Sequence, residues 1–363
     1  MGPIRPFVES DIPQVAELHR TVFRTAERGD AAMADAYRSY FMRVFLQSPS
    51  CDPALPSLVY EEDDGRISGF IGVVPRRMTM NGRRVTAAIS SQFMVAPTRS
   101  AGLVALRLAS EFFNGPQDLS ISDEANDTSR KIWEGLGGAT ALWHSLYWTR
   151  PLRPARYAVS VLGARAGLAP LARVAAPVAP LIDAVAARTP YGRFGSLPGA
   201  ARSPEELTGR TILTSLPRWT SSGALRVEYD ERTLGWLLAQ ARQRKRQGAL
   251  RAVVVRHGDR VIGWYLYHVD VDRTATVLQI GADPASNGEV VDRLFAQASA
   301  DGAIAVSGRV DSRDLHALTD RYCVLHRRGP WVLVKAKYAE LLRPFEMGEA
   351  CFSRLDGEWC LGF

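Results

Sequence analysis

The chain has 363 residues, 46% apolar and 23% charged, with 45 Lys and Arg against 38 Asp and Glu for a formal net charge of +7. That composition excludes a disordered or fibrous chain, leaves length for two domains each with its own core, and suits an anionic ligand without requiring one. Cys51, Cys323, Cys351 and Cys360 form no C-x-x-C pair, the six His are scattered, and the start MGPIRPFVESD has no basic-then-apolar leader. Reduced thiols, no metal and a cytoplasmic location are therefore expected.

In chain order, IRPFVES reads as a strand and Asp11 as the N-cap of the helix IPQVAELHRTVF, where Val15, Leu18 and Val22 share a face. AAMADAYRSYFMRVFLQS is a second helix. Residues 57–95 read as antiparallel strands turned at Asp64-Gly65 and Asn81-Gly82. The apolar strand ending FMV turns at Pro97 and continues as the helix AGLVALRLASEFF. DLSISDE is a strand, NDTSRKIWEGLGG a helix closed by Gly137-Gly138, and ATALWHSLYWT a last strand. The order is β-α-α-β-β-β-α-β-α-β.

Residues 151–204 are rich in Ala, Pro and Leu, and from Ala158 to Arg188 the charges are Arg165, Arg173, Asp183 and Arg188. This stretch reads as a connector whose helices pack between domains, with an interfacial helix or a lid over an apolar ligand as the alternatives. Its uncharged run Val174 to Ile182 contains Pro177 and Pro180 and is far short of the ~20 residues a transmembrane segment needs. From about Ala224 the pattern returns: the strand LRVEYD, the helix ERTLGWLLAQARQRKR, a hairpin turning at His257-Gly258-Asp259, then strand, turn, helix, strand, helix, strand. ARQRKRQ, with Arg242, Arg244, Lys245 and Arg246, reads as the solvated end of that helix, with attraction of an anionic acceptor or tRNA as the alternative. Each half sets a Pro after its key strand (Pro97, Pro284), a Gly (Gly102, Gly288), a helix and a strand containing Ser (Ser122, Ser307). That repetition points to a divergent internal duplication.

The turn at Pro97 leads to a helix start, where unpaired N–H groups and the helix dipole favour an anion. Gly102 allows close approach and Arg99 adds charge. VAPTRSAGLVALRL resembles the pyrophosphate-binding motif of the GNAT superfamily of acyl-CoA N-acyltransferases through Arg99 and Gly102, with Val104 where a small residue is usual. NDTSRKIWEGLGG supplies the second signature through Asn126, Trp133, Leu136 and Gly137. The resemblance covers about residues 4–150, and about 224–337 through element order alone.

It implies an α/β (α+β mixed sheet) protein of two GNAT-like domains, each a central mixed, mostly antiparallel sheet flanked by helices. The expected parts are an acyl-CoA-binding domain at 1–152, the helical connector at 153–204, and a degenerate GNAT-like domain with a C-terminal tail at 205–363. It further implies acetyl-CoA or another acyl-CoA as co-substrate, held by Phe93, Met94, Val95, Arg99, Ser100, Ala101, Gly102, Leu103, Val104 and Asn126. The strand before the turn splays from its parallel neighbour, and N–H groups around Phe93 to Val95 face the thioester carbonyl. The implied reaction is acyl transfer to an amine of a small molecule or peptide, with no DNA partner. The family's strand carboxylate is absent here, which leaves Ser90, Ser91 and Gln92 as polar candidates needing a water relay, or Asp123 and Glu124, which either serve as base or cap the helix near Asn126. Trp133 stands where the family has an acidic Tyr. At the second turn Asp283 and Glu289 repel a pyrophosphate, so that half is expected not to bind CoA. Two alternatives remain: a Fem-type aminoacyl transferase, or a catalytically inactive acyl-CoA-binding or scaffold protein.

Overall fold

The computed structural model describes residues 2–23, 31–165, 167–186, 188, 205–221, 223–244 and 247–363. The end of the expected connector, Lys245 and Arg246 lie outside the described residues. The chain divides into two compact units, one made of residues 1–145, 222–240 and 330–363, the other of 146–221 and 241–329. Strands and helices are numbered along the chain.

The first unit carries β1 (Ile4–Pro6), β2 (Leu58–Glu61), β3 (Ile67–Met80), β4 (Arg83–Val95), β5 (Leu119–Ala125), β6 (Ala139–Thr140) and β14 (Trp331–Ala336), in the sheet order β1-β2-β3-β4-β5-β14-β6. The long β3–β4 hairpin closes at Asn81 and Gly82, whose positive φ values of 52° and 74° twist with the flanking strands. β4 and β5 are parallel, and α3 (Ala101–Phe113) crosses between them. α3 and α4 (Asp127–Gly135) bury Val104, Leu108, Phe112 and Trp133 against Ile71 and Val73 on one face. On the other face Met78, Val85, Ile89 and Ile121 pack with Phe345 of α12 (Arg343–Glu346). Burial on both faces explains why β3 reads as a continuous apolar run rather than an alternation. α1 (Ile12–Phe23), α2 (Ala31–Phe41), the short β8 (Arg226–Val227) paired to β3, and α13 (Glu358–Leu361) complete the unit. α9 (Glu231–Gln243) lies mostly within it.

The second unit has the sheet order β13-β7-β12-β11-β10-β9, from β7 (Tyr147–Pro151), β9 (Leu250–His257), β10 (Arg260–Val269), β11 (Thr274–Ala282), β12 (Ala305–Arg309) and β13 (Val324–His326). β11 and β12 are parallel and are joined through α10 (Asn287–Ala300). α10 and α11 (Leu315–Asp320) close one core, where Leu294 and Phe295 meet Tyr265, Tyr267, Val277 and Trp148. α5 (Pro154–Gly163), α6 (Ala169–Ala175), α7 (Ala179–Ala186) and α8 (Gly209–Trp219) also belong here.

The two sheets repeat one plan: β2-β3-β4-β5 corresponds to β9-β10-β11-β12, each with a helical crossover between its parallel strands. Beyond that pair, each half gives up its last strand. β7 from the N-terminal half enters the second sheet between β12 and β13, and β14 from the C-terminal half enters the first between β5 and β6.

Several expectations change accordingly. ATALWHSLYWT is not one strand but β6 and β7 with a 3-10 turn at Trp143–Ser145 between them. LRVEYD contributes only β8, and to the first unit rather than the second. The compact units are not contiguous in sequence, since β7 lies in the second unit while residues 222–240 and β14 lie in the first. Asp11 is not a simple N-cap: it sits in a 3-10 turn, accepting the Val8 N–H and pairing with Arg5 at 2.7 Å. The connector helices do not bury their apolar side chains, for Leu171, Val174, Leu181, Ile182 and Val185 are all exposed.

Candidate functional site

β4 and β5 pair only from Ala87 to Ile89 against Leu119 to Ile121, and beyond Ile89 they part. Just there β4 carries a bulge: Phe70 faces Met94 and Gly72 faces Ser91, so Gln92 and Phe93 together oppose Ile71. Gln92 takes a positive φ of 53° to make it. The Ala96 N–H donates to the Ser68 carbonyl at 2.8 Å. Strand alternation then turns the Met94 N–H toward β3 and the Val95 N–H toward the gap. Of the expected donors at Phe93 to Val95, Val95 therefore faces the gap, Met94 does not, and Phe93 lies within the bulge.

At the end of β4 the chain turns through exposed residues 97–100 into α3. The Ala101 N–H donates to the Thr98 carbonyl at 3.2 Å, and the first helical bond runs from the Val104 N–H to the Ser100 carbonyl at 3.0 Å. Gly102 and Leu103 precede that ladder, so their N–H groups remain for a ligand. A side chain at Gly102 would point into open space, and the backbone is reachable there. Arg99 is exposed and makes no hydrogen bond or ion pair among the described residues. Ala101 and Val104 have their N–H groups engaged, and the Val104 side chain is core. The donors in this turn outside the helical ladder are thus Arg99, Gly102 and Leu103, with the Ser100 hydroxyl 3.1 Å from that of Thr98.

The carboxylates lie where the strands part, and the C-terminal segment lies among them. Asp123 is fully buried and accepts the Glu358 N–H at 2.5 Å. Gly357 packs so closely on the Asp123 carboxyl that a side chain there would overlap it. Oε1 of Glu358 accepts the Gln92 N–H at 2.6 Å and the Ser91 hydroxyl at 3.4 Å. Burial, reinforced by Asp123 and Glu124, pushes the Glu358 carboxyl up to about 8, against the pull of the Gln92 N–H. Glu124 is held by Arg354 at 3.3 Å. Neither Asp123 nor Glu124 caps the next helix, because Asn126 does so itself by accepting the Ser129 N–H at 2.8 Å.

Behind this cluster Asp356 accepts from Tyr229 and from Ser353, and the buried Arg76 reaches the Asp356 carbonyl at 3.1 Å. On the opposite side, His19 of α1 bonds the Tyr37 hydroxyl at 2.9 Å, and burial pulls its pKa down to about 4, with the nearby Gln92 side chain opposing the shift. Tyr37 also lines a groove of about 710 Å³ between α1 and α2, together with Ile12, Ala16 and Arg20. Trp133 is core, edge-on to Phe113 at 4.8 Å. Sequence reasoning missed Glu358 and His19, and named Gln92 only as a polar candidate on the strand. Asp356-Gly357 reads as a plain turn, and nothing local marks the residue after it.

The second unit's corresponding turn differs. Asp283 caps it by accepting the Ala285 N–H at 3.2 Å and pairs with Arg260 from β10. Glu289 stands 3.7 Å from His257. β11 and β12 also part, after Thr276 and Ser307, but Trp264 lies over Gly281 and its indole N–H donates to Ser215 at 2.9 Å. Among the described residues no group of three His, Cys, Asp or Glu side chains is placed to hold a metal ion.

No protein-family model matches the sequence, and no curated protein matches it. Solved structures do match the fold. A probable N-acyltransferase from Enterococcus faecalis V583 superposes with a TM-score of 0.57 at 9% identity, over 93% of this chain and 73% of that one. A GCN5-related N-acetyltransferase from Anabaena variabilis gives 0.56 at 13% identity, over the same shares. Saccharomyces cerevisiae N-myristoyltransferase with bound myristoyl-CoA gives 0.52 at 12% identity, over 92% of this chain and 81% of that one. The chain thus has a GNAT-like fold in tandem, as expected from its two sequence signatures.

Proposed function

We propose that the first unit transfers an acyl group from an acyl-CoA thioester, acetyl or longer, to the amine of a small molecule or peptide. The observation that carries this reading is the parting of β4 from β5 beside a helix start with clear N–H groups. In this reading a pantetheine chain would run along β4 on the Val95 side of Glu358 while its diphosphate meets Gly102, Leu103 and Arg99. The structural likeness to an N-acetyltransferase and to an N-myristoyltransferase holding myristoyl-CoA supports it.

In this reading the amine adds to the thioester carbon, and the Val95 N–H stabilises the oxygen as charge develops on it. The tetrahedral adduct then collapses, breaking the C–S bond, and the thiolate leaves without an acid. The amine's proton goes to a carboxylate. We assign proton acceptance to Glu358, whose carboxyl burial raises to about 8 and so makes it a stronger base than an ordinary carboxylate, with Glu124 held by Arg354 and Asp123 by the Glu358 N–H. Asp123 and Ser91 then position Glu358, and Asn126 holds the helix start beside them.

The experiment is a thermal-shift titration with acetyl-CoA and myristoyl-CoA, followed by a turnover assay on a panel of amines. Stabilisation that Gly102→Glu abolishes, together with acylated product, supports the reading. Equal shifts in both proteins would remove the site. Binding without turnover on any amine would favour a non-catalytic acyl-CoA binder, a reading to which the occupied Gln92 N–H lends some weight.

A further inference from the structure

The second unit carries a pair of helices whose amphipathicity is inverted. α7 turns Ala179 and Asp183 inward and exposes Leu181, Ile182 and Val185, which fall within an arc of about 100° on a helical wheel. α6 likewise buries Ala172 and exposes Leu171 and Val174, the latter 78% exposed, and Val178 between the helices is also exposed. A helix that faces only water shows the opposite pattern. The buried Asp183 explains how the arrangement is held: it accepts the Ala155 N–H at 2.8 Å and pairs with Arg156 at 3.0 Å, fixing α7 to the start of α5.

We infer that α6 and α7 form a docking surface for an anionic lipid bilayer, lying in its interface with their aliphatic side chains inserted. Charge selects the occupant. Between residues 158 and 188 the side chains Arg165, Arg173 and Arg188 are exposed, and the sole acid, Asp183, is buried and already paired. A second copy docking through the same face would set like charges against each other with no exposed carboxylate to pair them, whereas anionic headgroups meet them directly. Geometry selects the depth. The two helices match a membrane span in composition but meet at 60°. At 7 and 8 residues they are about 10 and 12 Å long, well short of the ~30 Å hydrocarbon core. They lie on a bilayer rather than cross it. This inference does not depend on the acyl-transfer reading.

The test is flotation of the full chain with vesicles of phosphatidylcholine containing about one-third phosphatidylglycerol, alongside vesicles of phosphatidylcholine alone, at low and high salt. The chain should float with the anionic vesicles, less with the neutral ones, and less as salt rises. Leu171→Ser, Leu181→Ser, Ile182→Ser and Val185→Ser combined should weaken binding at least about tenfold with an unchanged circular dichroism spectrum, since these side chains pack on little in the fold. Arg165→Glu, Arg173→Glu and Arg188→Glu combined should lose the preference for anionic vesicles. Absence of flotation, or equal flotation of wild type and the four-serine variant, overturns the inference. So does a wild-type dimer in sedimentation that the serines dissociate, which would make the occupant a second copy.

Discussion

Glu358 is the residue on which most turns, and its chemistry has a sign that can be measured. Its folded pKa of about 8 stands above its ordinary 4.5, so between those values the folded chain binds more protons than the unfolded one. That contribution to stability is whole below about pH 4.5, declines as pH rises through 8, and is absent above. Urea melts of Glu358→Gln should therefore match wild type near pH 5 and exceed it near pH 8. Turnover should move the other way: wild type should gain rate with pH along a limb centred near 8, and Glu358→Gln should lose that limb with roughly 100-fold or more of the rate. If Asp123→Asn abolishes the limb and Glu358→Gln keeps it, the base is Asp123. At the mouth of the gap, Arg99→Ala should weaken acyl-CoA binding by roughly 1–3 kcal/mol in calorimetry if the guanidinium bonds phosphate.

At the scale of elements, the C-terminal segment and the start of α4 make contrasting predictions. Gly357 has an ordinary φ of −99°, so it is space and not backbone strain that excludes a side chain beside Asp123. Gly357→Ala should cost about 1–3 kcal/mol by denaturant melting and lower turnover as well, because it displaces Glu358 from Gln92. Asn126→Ala removes the cap of α4 and should cost about 1 kcal/mol. These elements were unequally legible in the sequence. The hairpin at Asn81-Gly82, the turn at Pro97 and the helix from Ala101 could be read because each depends on neighbours in sequence. The apolar composition around α7 could be read too, but which of its side chains turn inward could not, since that depends on Asp183 finding the Ala155 N–H. Glu358 was illegible for the same reason: it meets Gln92 only after β4, β5 and the far end of the chain have come together.

For the whole molecule, the duplication was legible in element order, and the reciprocal loan of β7 and β14 was not. Both exchanged strands are largely buried, β7 as YWTRP and β14 as WVLVKA, and local pattern does not say which sheet each joins. The loan predicts that a fragment of residues 1–152 has no stable fold of its own, because it lacks β14 beside β5 and the segment that covers Asp123. Such a fragment should aggregate or stay unfolded by circular dichroism, and co-expression with residues 205–363 should rescue it if the pairing re-forms in trans. Calorimetry on the full chain should give about one CoA site, and Asp283→Ala with Glu289→Ala should leave its affinity unchanged.

The borrowed strand also imposes a waiting time during synthesis. β5 pairs with β14 across roughly two hundred residues, and at ribosomal speeds of ~5–20 residues per second the open edge of β5 waits on the order of 10–40 s for its partner. During that interval a nascent chain exposes an unpaired strand edge flanked by apolar side chains, the kind of surface that captures neighbouring chains on a polysome. A chain cut short anywhere before residue 331 never leaves that state.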